Sequence, residues 1–561
     1  TRSSPTSHII TDPVPATPLD DLRSALLDSA AELRADRPAP STAPTLERPP
    51  RAELGDYSTN AAMLLAPVLK AAPREIAERL GAGLDARMGD RLDRVEVAGP
   101  GFLNVFLADG WYVEAAARVL AAGDAYGAAR PERPERINVE FVSANPTGPL
   151  TAASGRHAAY GDSLARILEL AGHGVDREYY VNDAGSQIRR FGESIQARAL
   201  GRPVPEDGYE GDYVLDLARE IPGADDEGAD IDALSRAGVE AMLGRIRATM
   251  AGYRVEFDRW FLESELYAGD PSAVVRARER LQEMGRLYQH EGALWLRTTD
   301  FGDDKDRVLE RQSGEPTYFA SDVGYLGDKL SRGYDRLIYV LGSDHHGYIG
   351  RMRAAASALG ADTDRLEIPV LQFVHLIEGG ERASMSKRRG DFVTLDELVG
   401  EIGVDATRFF MLQRSHDSTV DLDLDLARRQ SNENPVYYVQ YAHARIASVL
   451  AKAGEERVAR ALAEGASGGG AALEPAEREL IKKLLAFPAE VAEAADRRAP
   501  HRIAAYALEL AQAFTAFYRD CRVVGAEPEA VESFRIALSV AAQRVIARAL
   551  GLLGVHAPDS M

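Results

Sequence analysis

Three groups of residues have the types and spacing from which a site for charged small molecules could be built. The first is a turn, Asn145-Pro-Thr-Gly148-Pro-Leu-Thr151-Ala-Ala-Ser154, that follows a short apolar strand and runs into a helix. Free backbone N–H groups at such a helix start, with the positive end of the dipole, make an anion site; the plainer alternative is a simple strand-to-helix connection. The second is Met385-Ser386-Lys387-Arg388-Arg389-Gly390, a basic, glycine-flanked loop suited to a transient polyanion, or else a solvated basic turn. The third is Tyr318 and Asp322, which are four apart and so share one face of a helix. A carboxylate there can take a guanidinium through two hydrogen bonds, and a phenol can cover its plane. On spacing alone, an ordinary surface helix is the better explanation of this last pair.

The elements that must position these residues alternate. Residues 137–141 read as a strand, followed by the Gly/Pro turn and a helix over about 155–171; 175–181, 337–341 and 369–373 read as further short strands separated by helical segments. This alternation predicts an α/β catalytic core with a parallel, doubly wound sheet, spanning 126–430 and carrying an acidic, helical insertion at about 205–290. Ahead of it, 18–125 reads as a small α/β module: a helix at 21–33, a break with five prolines at 37–50, an amphipathic run at 61–80, and strand-like alternation at 95–106 around Pro100-Gly101. From 431 to 561 the period is helical throughout, with long amphipathic runs at 480–495, 503–523 and 531–553. Residues 466–472, with three consecutive glycines, read as a flexible loop, and the polar, Pro/Ser/Thr-rich residues 1–17 as a disordered tail.

Bulk numbers agree with three soluble domains. At 561 residues the chain exceeds one core, and its 45% apolar and 27% charged residues are ordinary for a globular protein. No apolar run reaches the roughly 20 residues that span a bilayer, so no membrane partner is expected. The chain opens with no basic segment followed by an apolar core, so no secretory signal is expected either. Cys521 is the single cysteine, which excludes an internal disulfide and a thiolate metal cluster and fits a reducing cytoplasm. The net charge of −21 argues against indiscriminate nucleic-acid binding. Residues 431–561 carry 15 Lys and Arg against 16 Asp and Glu, so a local basic groove there remains compatible with RNA.

The flanks of the turn, Glu140-Phe-Val-Ser-Ala-Asn145-Pro-Thr-Gly-Pro-Leu150 and Gly155-Arg-His157, resemble the first nucleotide-binding turn of class I aminoacyl-tRNA synthetases, specifically arginyl-tRNA synthetases. So do Arg382–Gly390 with its continuation through Phe410, Thr317–Asp322, Gly342–Tyr348 and Glu178–Gln187. The resemblance spans residues 18–561. It implies a Rossmann-like catalytic domain between an N-terminal module that meets the tRNA elbow and a C-terminal all-helical anticodon-binding domain. It further implies that Glu140, Asn145, Tyr318 and Asp322 hold arginine. Gly148, Gly342, Asp344, His345, His346 and Lys387 would bind ATP, with Mg2+. Met385, Ser386, Lys387, Thr151 and Ser154 would serve catalysis. Tyr57, Asn60, Asn182, Gln187, Tyr441, Arg445, Tyr518 and Arg522 would contact arginine-accepting tRNA. A cytoplasmic monomer follows from the same resemblance. Paired histidines at 345 and 346 also suggest a metal, but no third ligand stands at a recognisable spacing, so no metal site is expected.

One departure bears on the chemistry. The family has His-x-Gly-His where this chain has Thr151-Ala152-Ala153-Ser154. The histidines stabilise charge developing on the α-phosphate of ATP. Thr151 and Ser154 can each offer one neutral hydrogen bond, and the Ala153 methyl crowds the approach that glycine allows. Losing one such donor costs on the order of 10²–10³ in rate. His157 lies one turn deeper on the face of Ser154 and is expected to point away from the phosphates. The leading expectation is ATP-dependent attachment of arginine to tRNA, impaired by the altered turn. The alternatives are a divergent paralogue that passes arginine to a non-tRNA acceptor, a non-catalytic arginine- or tRNA-binding regulator, and an engineered inactivation.

Overall fold

A five-stranded parallel sheet organises the centre of the molecule. The computed structural model describes residues 18–345, 347–382, 393–464 and 472–561. The strand order across the sheet is Leu366–Glu367, Arg336–Tyr339, Arg136–Glu140, Gly174–Val181 and Arg259–Leu262, every neighbouring pair parallel. Parallel strands need crossovers that cover both faces, and so their residues are buried on both sides: Ile137, Val139, Tyr179, Val181 and Ile338 are all fully buried. From Arg136–Glu140 the chain builds outward through Gly174–Val181 to Arg259–Leu262, then returns to the other side for Arg336–Tyr339. The carboxyl ends of Arg136–Glu140 and Arg336–Tyr339 therefore flank a topological switch point, where open α/β sheets bind ligands.

The acidic stretch 205–290 departs from a simple helical insertion. Helices Asp212–Glu220 and Ile231–Gly252 are present, but Arg259–Leu262 within it is the edge strand of the central sheet. Four residues are too few for a period to show in the sequence. The amphipathic run at 61–80 is likewise two helices, Ala61–Leu69 and Pro73–Met88, divided by Lys70 in the left-handed conformation and Pro73 at the start of the second. With helix Pro18–Arg34 they cover a three-stranded antiparallel sheet in the order Tyr57–Thr59, Phe102–Leu107, Leu92–Ala98. The C-terminal part contains helices Pro435–Ala453, Glu455–Ala463, Pro475–Asp496, His501–Asp520 and Glu529–Leu552. The tail expected at 1–17 lies outside the described residues, as does the glycine loop expected at 466–472 except for its last residue.

The helix that starts at the turn, Ala152–Leu170, is tied on all sides. Arg156, 2% exposed, donates to the carbonyls of Gln372 (2.5 Å), Phe373 (3.4 Å), Ser415 (2.9 Å) and Ser418 (2.7 Å). Two turns on, buried Asp162 accepts from Arg408 (2.5 Å) and Arg166 (2.9 Å). Arg408, itself fully buried, also donates to the carbonyls of Leu553 (2.7 Å) and Tyr253 (3.0 Å). This knot joins helix Ala152–Leu170, the stretch 205–290 and the C-terminal segment. Gly554 has φ +66°, and a Cβ there would stand 2.3 Å from the Arg408 guanidinium, so the close approach needs glycine.

Removing one partner from a buried ion pair leaves an uncompensated charge, at a cost of about 3–5 kcal/mol. Asp162→Ala is expected to destabilise the chain by about that amount, seen as an early unfolding transition in thermal denaturation, whereas an unchanged Tm would contradict the role given to this knot.

Candidate active site

Four carboxylates converge near the carboxyl ends of the strands, and the structure treats them in two ways. Glu140 and Glu178 are neutralised within the protein. Lys329 Nζ, fully buried, lies 2.5 Å from Glu140 Oε2. Arg332 grips Glu178 with two hydrogen bonds (2.6 and 2.9 Å), and Asn138 Nδ2 donates to it at 3.0 Å. The Tyr325 hydroxyl lies 2.9 Å from Glu140 and 2.7 Å from Glu178 and shares its proton between them. Burial alone would raise the Glu178 carboxyl, but Lys329 and Arg332 overcome it and hold the group down to about 2. Two acids thus meet two bases. Glu140, expected among the residues that hold arginine, has its charge matched within the protein by Lys329.

Asp322 and Glu263 are not matched in this way. Asp322 stands on helix Tyr318–Ser331, whose first turn is capped by Thr317. Burial pushes its carboxyl up to about 6, against the Tyr348 hydroxyl and the Arg351 charge, which favour ionisation. Glu263 follows directly after strand Arg259–Leu262 and is 5% exposed. Burial and the charges of Asp183 and Asp322 raise it, although the nearby Tyr180 and Ser321 hydroxyls favour its ionised form. Asn182, with its amide nitrogen turned to the acceptors, donates to Glu263 Oε2 (2.9 Å) and the Ala184 carbonyl (2.9 Å). Two desolvated carboxylates near one another form a site whose strain a bound cation relieves. Sequence reasoning missed Glu263 because one more acid in an acidic stretch carries no signal.

Three other segments gather at this site. Tyr318 is 62% exposed, and its hydroxyl lies 3.6 Å from where a Cβ on Gly185 would stand; Gly185 itself has φ +93°. Asn145 Nδ2 donates to Gln187 Oε1 at 3.1 Å. Of the residues expected here, the structure therefore gathers Asp322, Tyr318 and Asn145, and adds Gln187 and Asn182, which had been expected at an RNA surface.

The crevice at the switch point begins with strain. Val142 (φ +69°) and Ser143 (φ +43°) are consecutive left-handed residues without a glycine, which costs about 1–3 kcal/mol each. Ser143 Oγ donates to Glu140 Oε1 (3.1 Å) and accepts from Tyr180 N (3.1 Å), while the Tyr179 hydroxyl bonds both the N–H and the carbonyl of Ala144. Gly148 follows, with the Tyr213 hydroxyl 3.3 Å from its would-be Cβ. Thr151 then caps helix Ala152–Leu170, accepting from Ser154 N at 3.3 Å, and the Thr151 and Ser154 hydroxyls lie 3.3 Å apart. Three of the first helical N–H groups are already bonded, Ala152 to Val393 O, Ser154 to Thr151 Oγ1 and Gly155 to Thr151 O. The turn is stitched to residues 393–395 through Ala152 N to Val393 O (3.0 Å), Leu395 N to Leu150 O (2.8 Å) and a Thr151–Thr394 bridge. Met385, Ser386 and Lys387 lie outside the described residues, but the segment that follows them is anchored on the turn.

The opposite wall is Gly342–His345. A Cβ on Gly342 would meet Asp344 Oδ1 at 2.5 Å, and Asp344 lies 3.4 Å from His345 Nε2. His346 lies outside the described residues. Burial and the neighbouring Arg156 charge push the His157 ring down to about 4.

The residues expected to contact RNA divide. Tyr57 is 4% exposed and packs edge-on against Trp111 (6.4 Å), so its ring belongs to the core of the N-terminal module and cannot stack on a base. Asn60 Oδ1 accepts from Thr45 N at 2.9 Å. On helices Pro435–Ala453 and His501–Asp520, Tyr437 and Tyr441 stack at 6.0 Å, Phe514 and Tyr518 at 6.1 Å, and the Arg445 guanidinium lies 4.6 Å from Tyr441 and 5.5 Å from Tyr518. Arg522 is exposed close by and packs on Gly525. Phe514 is buried, but Tyr437, Tyr441 and Tyr518 are at least partly exposed and with Arg445 and Arg522 make one surface suited to splayed bases.

Three protein families match the chain: "Arginyl tRNA synthetase N terminal domain" over residues 20–107, "tRNA synthetases class I (R), catalytic domain" over 263–443 and "DALR anticodon binding domain" over 439–561. It is 45% identical to the arginine–tRNA ligase of Shouchella clausii over 553 residues, covering 96% of this chain and 98% of that one. Identity to the arginine–tRNA ligase of Frankia alni is also 45%, over 98% of this chain and 100% of that one. The crystal structure of Thermus thermophilus arginyl-tRNA synthetase is similar with a TM-score of 0.74 at 25% identity, covering 96% of this chain and 99% of that one.

In a carbon-detected titration of the unliganded protein, the Asp322 carboxyl is expected near 6 instead of the ordinary 3.8. Tyr348→Phe removes a hydroxyl that favours the ionised form and is expected to raise it further. An ordinary value in both proteins would mean that this pocket carries no unrelieved charge.

Proposed function

Because the chain belongs to the arginyl-tRNA synthetase family, we propose that it attaches arginine to tRNA in two steps, with ATP as the activating substrate. The observation that carries this reading is the pair of unmatched carboxylates, Asp322 and Glu263, beside the switch-point crevice. A guanidinium between them restores both to ordinary ionisation, and Tyr318 covers its plane. Asn145 takes the α-amino group, and this leaves the arginine carboxylate directed toward the crevice. ATP lies there against Gly148 on one side and Gly342, Asp344 and His345 on the other, and it enters as its Mg2+ complex. The arginine carboxylate oxygen attacks the α-phosphorus, and the bond to the bridging oxygen of pyrophosphate breaks. Lys387, with Met385 and Ser386, neutralises the leaving pyrophosphate. The terminal ribose hydroxyl of tRNA then attacks the arginyl carbonyl and displaces AMP. The aromatic and basic surface around Tyr441, Arg445, Tyr518 and Arg522 holds the tRNA at the other end. On the same reading the protein acts as a monomer in the cytoplasm.

The altered turn sets the rate. The Thr151 and Ser154 hydroxyls are within reach of each other and must turn outward to meet an α-phosphate oxygen. Neutral hydroxyls stabilise developing charge less than imidazoles that can become cationic. Adenylation is therefore slow relative to a chain with the histidines. Similarity over the full length does not favour the alternatives of another acceptor or a non-catalytic regulator.

ATP–pyrophosphate exchange in the presence of arginine and tRNA tests this directly. Measurable exchange is expected, and it should rise by about 10²-fold or more when Thr151→His, Ala153→Gly and Ser154→His are combined. No exchange in either protein would reject the ligase reading. Arginine affinity is expected to be full above pH 6 and to fall toward about tenfold per unit below it, because protons compete with the guanidinium for Asp322. Asp322→Asn should bind weakly at every pH; an affinity that ignored both pH and this substitution would place arginine elsewhere.

A further inference from the structure

The N-terminal module meets the helical C-terminal segment through one patch of helix Pro475–Asp496. Lys482 Nζ lies 2.7 Å from Asp56 Oδ1, and the two side chains are only 7% and 13% exposed. The other Asp56 oxygen accepts from Leu107 N at 2.7 Å, within the module's own sheet. Two pairs flank this one, Arg48 with Glu479 (2.7 Å) and Arg478 with Asp109 (2.7 Å). Both are more open to water, and such pairs contribute little singly. Positions 478 and 482, and 479 and 482, are one turn apart, so the three make a single patch. Where the module leaves toward the central sheet, the Tyr126 hydroxyl donates to the Leu484 carbonyl at 2.8 Å. A module held at Tyr126 alone would turn about that point; the desolvated pair at Asp56 removes the turn.

Asp56 lies in the segment expected to approach RNA. Tyr57 beside it is turned into the core, but Asn60, four residues on, is partly exposed. On the other side of the joint, helix Pro475–Asp496 packs along helix His501–Asp520, where the Tyr506 hydroxyl donates to the Lys483 carbonyl at 2.8 Å. Tyr518 follows Tyr506 by twelve residues, about 18 Å along the helix axis. The joint therefore sets how far the segment Gly55–Asn60 stands from the surface of Tyr441, Arg445 and Tyr518.

A folded tRNA presents its elbow and its anticodon at one separation. A protein that touches both binds the second arm in an intramolecular step, at an effective concentration that depends on how firmly its two surfaces are held. We infer that Asp56 and Lys482 are positioning residues for tRNA: their ion pair keeps the N-terminal module and the helical segment at the spacing at which one tRNA reaches both. This rests on the reading of tRNA as the substrate. Neither side chain has to touch the RNA.

The test compares the full chain with Asp56→Asn, with Asp56→Asn and Lys482→Met combined, and with Lys482→Arg. Asparagine keeps an acceptor for Leu107 N, the double substitution strands no charge, and arginine keeps the ion pair. Equilibrium binding is measured for a transcript of an arginine-accepting tRNA and, separately, for its anticodon stem-loop alone. Asp56→Asn and the double variant are expected to bind the whole tRNA about tenfold more weakly and the stem-loop as the wild type does. In aminoacylation the KM for tRNA should rise by the same factor with kcat kept, and Lys482→Arg should match the wild type. Arginine affinity, measured in parallel, should not change; its loss would mean that the pair holds the fold together, against the inference. Unaltered tRNA affinity, equal weakening of tRNA and stem-loop, or a Lys482→Arg chain as weak as the double variant would also overturn it and leave the ligase reading standing. A wild-type chain that binds arginine but neither RNA would overturn both.

Discussion

The ion pair between Lys329 and Glu140 is the constraint from which the site follows. Strand Arg136–Glu140 and helix Tyr318–Ser331 meet at this contact, buried from water on both sides, so the ends of the sheet and the helix bearing Tyr318 and Asp322 have one relative position. A charged group this deep must be compensated or shifted. Lys329 and Arg332 compensate two of four nearby carboxylates. Among the described residues nothing of comparable proximity compensates Asp322 and Glu263, and both stay raised. The protein therefore holds a site short of positive charge beside a scaffold that is electrically complete. On the proposed reading, that contrast suits the pocket to a cationic side chain.

A second constraint acts on the backbone. The strained pair Val142–Ser143 aims the chain into the crevice, and it is held by Glu140, Tyr179 and Tyr180 from two adjacent strands. The turn is then fastened at Leu150 and Ala152 to the segment leading out of the basic loop. Helix Leu395–Leu412 continues from the same segment. Past its break at Gly403 (φ 81°) it meets helix Pro435–Ala453 where Gln440 donates to Asp405 at 2.9 Å. The turn at Leu150–Ala152 and the helix that bears Tyr441 and Arg445 thus both bond to the stretch formed by residues 393–395 and helix Leu395–Leu412.

Much of this was legible in the residues. The Gly/Pro turn between a strand and a helix, the Tyr318–Asp322 spacing and the long amphipathic runs of the last 130 residues are local patterns, and local patterns survive without coordinates. The strand Arg259–Leu262 was not legible, because four residues carry no period. Neither was the burial of Tyr57, because an aromatic beside Asn60 reads the same whether it faces solvent or Trp111.

The order of residues along the chain by itself determined the family, the helical and parallel-sheet elements, and the replacement of two imidazoles by hydroxyls at Thr151 and Ser154. Only the tertiary structure decided which acids are available. Glu140 and Glu263 are the same side chain in a sequence, 123 positions apart. One lies against a lysine brought from residue 329, and the other lies against Asp322 and Asp183. Charge compensation is a matter of ångströms between distant segments, and no spacing along the chain encodes it.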